Sequence, residues 1–305
     1  MCHIALSREF YWSWLMAGFG KQNSLYQNPE KGARLFAHRR RRMRIGTFAR
    51  ETEQVRKAME YEPDFIDLRL DLNHSIDFSE TTEILQKNDV PCTLHLPSSP
   101  EWSPMDLPRS VIPFIDIGGN IGAELVTIHT ALSPLFYSDK VIDQFLQAVP
   151  LACKAAKEAG VTLAIETLGL YYTELTLLFD RCPDVQIALD VGHGQIFAMK
   201  NRALAIIESY MDRIKLVNLH DNHGSQMVEE VYKLRKEHEV TREEMRDMAR
   251  DYDTHLPVGE GEIDFDPVLQ KLKEKSYDGR FLMMCTDPSR FPEERETFKS
   301  MWKNV

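Results

Sequence analysis

Val161-Thr162-Leu163-Ala164-Ile165-Glu166 and Val185-Gln186-Ile187-Ala188-Leu189-Asp190 are two short apolar runs, each ending in an acid. Between them, Tyr172–Arg181 carries Leu175, Leu178 and Phe179 at helical spacing. Two such runs joined by a helical stretch predict a βαβ unit with parallel strands. Gly160 stands just before the first run and predicts the stop of a long helix over Ser138–Ala159.

The same alternation extends in both directions. Strands are expected at Met43–Phe48, Asp64–Leu70, Val90–His95, Glu124–His129, Val161–Glu166, Val185–Asp190, Arg213–His220 and Arg280–Cys285. Helices are expected at Glu51–Tyr61, Ser79–Asn88, within Asp106–Ile121, at Ser138–Ala159, Tyr172–Arg181, Asn201–Met211, Asp266–Ser276 and Pro292–Trp302. Eight such units predict an α/β chain folded as a (β/α)₈ TIM barrel, a single domain over residues 43–305. A charged segment, 225–252, interrupts the pattern after the seventh strand and is expected to be a helical insertion. As a function for it the sequence offers a lid over the site, a contact in a homodimer, or a solvated helical pair.

The chain has 305 residues and a formal net charge of −10. Its five cysteines, Cys2, Cys92, Cys153, Cys182 and Cys285, form no C-x-x-C pair, which suggests a reducing, cytoplasmic setting. Residues 1–42 read as an N-terminal extension, either disordered or the product of a start placed too far upstream, with Met43 as the natural beginning. Its aromatic stretch Phe10–Gly20 is too short to span a bilayer, so no membrane partner is expected. Arg39, Arg40, Arg41 and Arg42 in that extension are the one run that suggests a nucleic-acid contact. Residues 1–42 hold eight of the chain's 37 Lys/Arg and two of its 47 Asp/Glu, which leaves 29 and 45 and a net −16. A body that acidic argues against nucleic acid as partner, because neutralised phosphates supply most non-specific affinity.

Polar residues stand where a barrel strand would end. His95, His129, Glu166, Asp190 and His220 each close a predicted strand or follow it. In a barrel that end forms the active-site face, and core packing there would favour Val, Ile or Leu. Asp67 and Arg69 share one side of the second strand, so Arg69 is a candidate to clamp a phosphate or carboxylate, with an ion pair to Asp67 as the alternative. Trp102 reads as a lid residue or as packing.

The motifs Thr93-Leu94-His95-Leu96-Pro97, Val126-Thr127-Ile128-His129, Ala164-Ile165-Glu166-Thr167, Leu189-Asp190-Val191-Gly192-His193, Leu219-His220-Asp221-Asn222 and Asp253-Thr254-His255 before Gly259-Glu260-Gly261 occur in this order. From Met43 to about Trp302 the chain therefore resembles the xylose-isomerase-like barrel superfamily. That group holds sugar-phosphate isomerases and epimerases, and abasic-site nucleases of the endonuclease IV type. The resemblance implies a cofactor of one to three divalent ions, Zn or Mn. One position would use His95, His129 and Glu166, and another His193, Asp253 and His255. A shared position would use Glu166, Asp190, a histidine and a final glutamate. Asn218 stands in the histidine's place and Cys285 in the glutamate's, so His220 and Cys285 become candidate replacement ligands. The implied catalytic residues are Glu166, Asp190 and His193, and the implied substrate contacts are Arg69, His220 and His255. The implied reaction is isomerisation or epimerisation of a small sugar or sugar phosphate. Two alternatives are a metal-dependent phosphoester hydrolase of the endonuclease IV type and a catalytically weakened sugar-binding barrel.

Overall fold

The structure, a computed structural model, describes residues 43–71, 73–97 and 107–305. The extension 1–42 with its four arginines, and Trp102, lie outside these residues. β1 (Arg44–Ala49) leads to α1 (Thr52–Ala58), β2 (Ile66–Arg69) to α2 (Phe78–Lys87), and β3 (Cys92–His95) to α3 (Leu107–Ser110) and α4 (Ile112–Asn120). β4 (Leu125–Ile128) leads to α5 (Asp139–Ala159), β5 (Thr162–Glu166) to α6 (Tyr172–Arg181), and β6 (Gln186–Asp190) to α7 (Val191–Gln195) and α8 (Ala203–Tyr210). β7 (Ile214–Leu219) leads to α9 (Gln226–Leu234), α10 (Arg242–Tyr252) and α11 (Asp266–Glu274), and β8 (Arg280–Met283) to α12 (Phe291–Asn304). Each strand pairs in parallel with the next, and β1 pairs with β8, so the sheet closes. The eight expected strands are present, with ends shifted by a residue or two. The short helix α7 is an addition to the expected pattern. Gly160 takes φ 72° as the C-cap of α5, the left-handed geometry that a glycine tolerates without a Cβ clash.

Strand parity sets what faces the barrel axis. Phe48, Leu125, Ala164, Ala188, Leu216, Leu282 and Met284 belong to one buried cluster inside the barrel. A larger cluster packs the outward faces of the strands against the helices. Side chains along a strand alternate between faces. Two residues beyond Ala164, Ala188 and Leu216 therefore come Glu166, Asp190 and Asn218, inward-facing and above the apolar plug.

The insertion is docked. Met227 and Val231 of α9 and Met245 and Ala249 of α10 bury their side chains with Phe136 and Ile196 of the barrel loops. Thr241 caps α10 by accepting from the Glu244 backbone N–H, and Glu244 returns a bond to the Thr241 N–H. The solvated helical pair is thereby set aside: one face of each helix is core. Among the described residues no helix is long and apolar enough to cross a membrane.

Because this satellite core is separate from the main one, Met245→Ala is expected to loosen the insertion alone. Truncating a buried methionine costs about 2–5 kcal/mol where the site cannot collapse. Amide hydrogen exchange should accelerate in α9 and α10 while the β-strand amides keep their protection. Equal acceleration in both would show that the insertion unfolds only with the barrel.

Candidate metal centre

Glu166, at the end of β5, has no exposed surface. Its Oε2 lies 3.1 Å from His95 Nε2, and its Oε1 lies 2.8 Å from His129 Nε2 and 3.2 Å from His193 Nδ1. His95 comes from the end of β3 and His129 from the residue after β4, so three strand ends meet at one carboxylate. A second gathering surrounds Asp253, the C-cap of α10. His193 Nε2 stands 3.1 Å from its Oδ2, His255 Nε2 3.3 Å from the same oxygen, and His220 Nδ1 3.7 Å from Oδ1. The His220 and His255 rings stack nearly parallel at 3.8 Å. Asp190 links the two gatherings, with Oδ1 3.0 Å from His220 Nε2 and Oδ2 3.6 Å from His193 Nδ1.

The structure thus brings together His95, His129, Glu166, Asp190, His193, His220, Asp253 and His255. Their donor atoms are close enough for cations in three overlapping groups: His95/His129/Glu166, Glu166/Asp190/His193, and His193/His220/Asp253/His255. His220, expected to replace the missing histidine of the shared Glu166/Asp190 position, falls in the Asp253 group, with its Nε2 against Asp190 Oδ1.

Cys285 is not brought in. Its Sγ donates to the Asp287 carbonyl at 3.0 Å, and burial beside Glu294 pushes the thiol up to about 12, far from an available thiolate. The inward position on β8 belongs to Met284, whose Sδ receives Arg69 NH1 at 3.3 Å. Alternation explains the correction: Leu282 and Met284 share the inner face, and Cys285 falls on the other. Arg69 is committed as well, with Nε and NH2 at 3.0 and 2.8 Å from Asp71 Oδ2. Asp67, its expected partner, lies farther off at 3.6 Å.

The electrostatics follow from burying three carboxylates among imidazoles. Burial alone would raise the Glu166 carboxyl, but His129 and His95 hold it well below the usual range. Asp253 is likewise held well below against its burial, by His193, His255 and His220. Burial lowers His129 more than Glu166 raises it. His193 goes the other way: burial opposes its charge, yet Asp190 and Asp253 raise it well above the ordinary histidine value.

The donor set fits divalent cations. His129 Nε2, Glu166 Oε1, His193 Nδ1, His220 Nδ1 and Asp253 Oδ1 are buried without a directed hydrogen bond, although they crowd one another. His95 and His255 present their Nδ1 atoms to the backbone carbonyls of Leu96 and Met284, at 2.9 and 3.0 Å, which turns Nε2 of each toward the carboxylates of Glu166 and Asp253. That is the arrangement in which a metal-ligating histidine is oriented by its other nitrogen. Imidazole with carboxylate suits Zn²⁺ or Mn²⁺.

Other polar residues of the loop are braces. Asp221 accepts the backbone N–H groups of Asn222 and Ile263 at Oδ1 and of Gly259 at Oδ2. Gly261 must lack a side chain, since a Cβ there would sit 2.4 Å from Asp221 Oδ1. Gly192 is required for the same kind of reason, as its Cβ would fall 2.0 Å from His220 Cε1. His255 adopts φ 47°, strained for a histidine, at the point where the chain turns its ring onto the site.

Above this floor opens a cleft of about 590 Å³. His129, His193, Asp253 and His255 line it, and so do Arg50, Arg69, Arg246 and Arg250. Glu166 and Asp190 lie beneath it, fully buried. Arg246 and Arg250 come from α10, one turn apart, so the insertion contributes to the wall. The sequence pattern did not single them out, though their four-residue spacing just before Asp253 was the available signal.

Comparison with known proteins agrees with this architecture. A family model described as "Xylose isomerase-like TIM barrel" matches residues 55–301. The uncharacterized protein MJ1614 of Methanocaldococcus jannaschii is 22% identical over 233 residues, 69% of this chain and 77% of its own. Among solved structures, a D-tagatose 3-epimerase-like protein superposes with a TM-score of 0.66 at 20% identity, covering 86% of this chain and 98% of its own. D-allulose 3-epimerase of Methylomonas sp. in complex with D-allulose gives 0.63 at 14%, covering 85% and 96%. The 3-keto-D-glucoside 4-epimerase YcjR of E. coli gives 0.60 at 14%, covering 85% and 100%. With the barrel closed and the family model spanning nearly all of it, the chain belongs to the xylose isomerase-like TIM barrel family.

Proposed function

We propose that this chain is a divalent-metal-dependent isomerase or epimerase of a small phosphorylated sugar. The observation that carries the reading is the cleft itself: orphaned histidine and carboxylate atoms on its floor, guanidinium groups on its wall. His95, His129 and Glu166 would hold one cation, and His220, Asp253 and His255 another, each set leaving a coordination position open to substrate. A bound cation there would polarise a substrate carbonyl and its neighbouring hydroxyl.

The protein's own groups divide the remaining work. Of Glu166, Asp190 and His193, only His193 reaches the cleft, so we assign it the proton transfer. Asp253 orients it at 3.1 Å. Glu166 and Asp190 are positioning residues. Where a second carboxylate would face the substrate, Met284 presents a thioether. A single proton-transferring group on one face suits transfer of a proton between adjacent carbons better than inversion of a carbon, which asks for groups on both faces. Arg246 and Arg250 favour a phosphate-bearing substrate. Arg246 is anchored on the Phe136 carbonyl, and Arg250 is fixed only by the exposed Asp247.

A second reading keeps a specific support. Two complete histidine–carboxylate sets, with phosphate-binding side chains above them, also suit a metal-dependent phosphoester hydrolase.

The metal-loaded protein, incubated with aldose and ketose phosphates in D₂O, should place solvent deuterium on the carbon beside the carbonyl, and chelation should abolish it. No exchange with any substrate, combined with cleavage of abasic-site DNA, would replace the first reading by the second. Arg250→Gln is expected to raise KM for a phosphorylated substrate up to about tenfold, leaving kcat and the KM of the unphosphorylated sugar nearly unchanged. An equal effect on both sugars would remove the phosphate assignment.

A further inference from the structure

The third group of donor atoms, Glu166/Asp190/His193, has an amide set against its two carboxylates. Asn218 Nδ2 donates to Glu166 Oε2 at 2.9 Å and to Asp190 Oδ2 at 3.2 Å. Both N–H bonds of the amide are thus spent on the two carboxylates that a central cation would need. A cation coordinating those oxygens would sit about 2.0–2.2 Å from each, so it competes with the amide for the same lone pairs. The opposite amide orientation would press Oδ1 against two carboxylates, and electrostatics therefore selects the donor-inward one. On the β8 side, Met284 fills the inward position with a weak sulfur acceptor, already taken by Arg69 NH1 at 3.3 Å. The Arg69 guanidinium, 3% exposed, supplies there a permanent positive charge close enough to feel Glu166.

We infer that Asn218, with Met284 and Arg69, replaces a central cation by hydrogen-bond donors and a fixed charge, so that the chain takes one ion at His95/His129/Glu166, one at His220/Asp253/His255, and none between them. This rests on the metal-dependent reading above. The consequence is a pair of separated sites in place of a cluster bridged through Asp190. Glu166 then serves one ion only, and Asp190 serves none. Asp190 instead holds the local frame, accepting from Asn218, His220 and the His193 backbone N–H at 2.8 Å.

The test is a metal count with positions. The full chain, stripped by chelator, reloaded with Zn²⁺ and desalted, should carry about two ions by elemental analysis. His95→Ala and His255→Ala should each remove about one and leave the other in place. Anomalous scattering at the zinc edge should put density at the two outer sets and none between Glu166 and Asp190. The double variant Asn218→His with Met284→Glu should gain about one further ion at that central position. A third ion in the unaltered protein, or a single ion bridging Glu166 and Asp190, would overturn this inference and leave metal dependence standing. Absence of zinc from every variant, with no thermal stabilisation by added Zn²⁺ or Mn²⁺, would overturn both. The anomalous map of the unaltered protein decides the point even where the double variant does not fold.

Discussion

The site is built around one fully buried carboxylate. Glu166 could not remain ionised at the end of β5 without compensation, since burying a lone charge costs several kcal/mol. His95, His129, His193 and Asn218 supply that compensation from four other segments, each within about 3 Å of an oxygen. A change at any one of these strand ends therefore disturbs the others through the same two oxygens. The Asp253 group is a second instance of this constraint, and His193 and Asp190 couple the two. The strain at His255, the missing side chain at Gly192 and the braced Asp221 loop are consequences of crowding imidazoles around two carboxylates.

The barrel below makes this arrangement reachable. Small Ala164 and Ala188 lie beneath Glu166 and Asp190, leaving room for bulkier Leu125 and Leu216 from the neighbouring strands and Phe48 from β1. The plug is buried and apolar, so the polar layer above it relaxes toward water chiefly through the cleft. Low local dielectric strengthens every favourable contact in that layer and penalises each unmet one.

Much of this was legible in the residues. Alternating runs announce eight strands, because strands covered on both faces must be apolar and their ends need not be. The strand-end histidines and acids announce a shared site, because a core has no use for them. Parity on β8 was less visible. Met283, Met284 and Cys285 are all apolar enough to face either way, and only the interior cluster and the Arg69 contact decide that Met284 points inward. Asn218 reads in sequence as a lost ligand, and only its two distances show it as a donor spanning two carboxylates. The role of the insertion was hidden for a related reason. Its arginines look like a solvated helix face until α10 is seen packed by Met245 and Ala249, with Arg246 and Arg250 turned to the cleft.

Charge distribution ties these features to what the cleft can admit. Residues 43–305 carry a large negative excess, yet Arg50, Arg69, Arg246 and Arg250 converge on one opening. An extended polyanion would meet the net negative charge of the whole body as well as this opening, a repulsion that salt screens beyond about 8 Å. A small anion meets mainly the local field inside, where low-dielectric walls focus it. Asp71 accepts Arg69 and also Arg50 at 3.1 Å, so one carboxylate orients two guanidiniums, with Asp67 a further 3.6 Å from Arg69. On the proposed reading, these arginines would meet the single phosphate of a sugar phosphate.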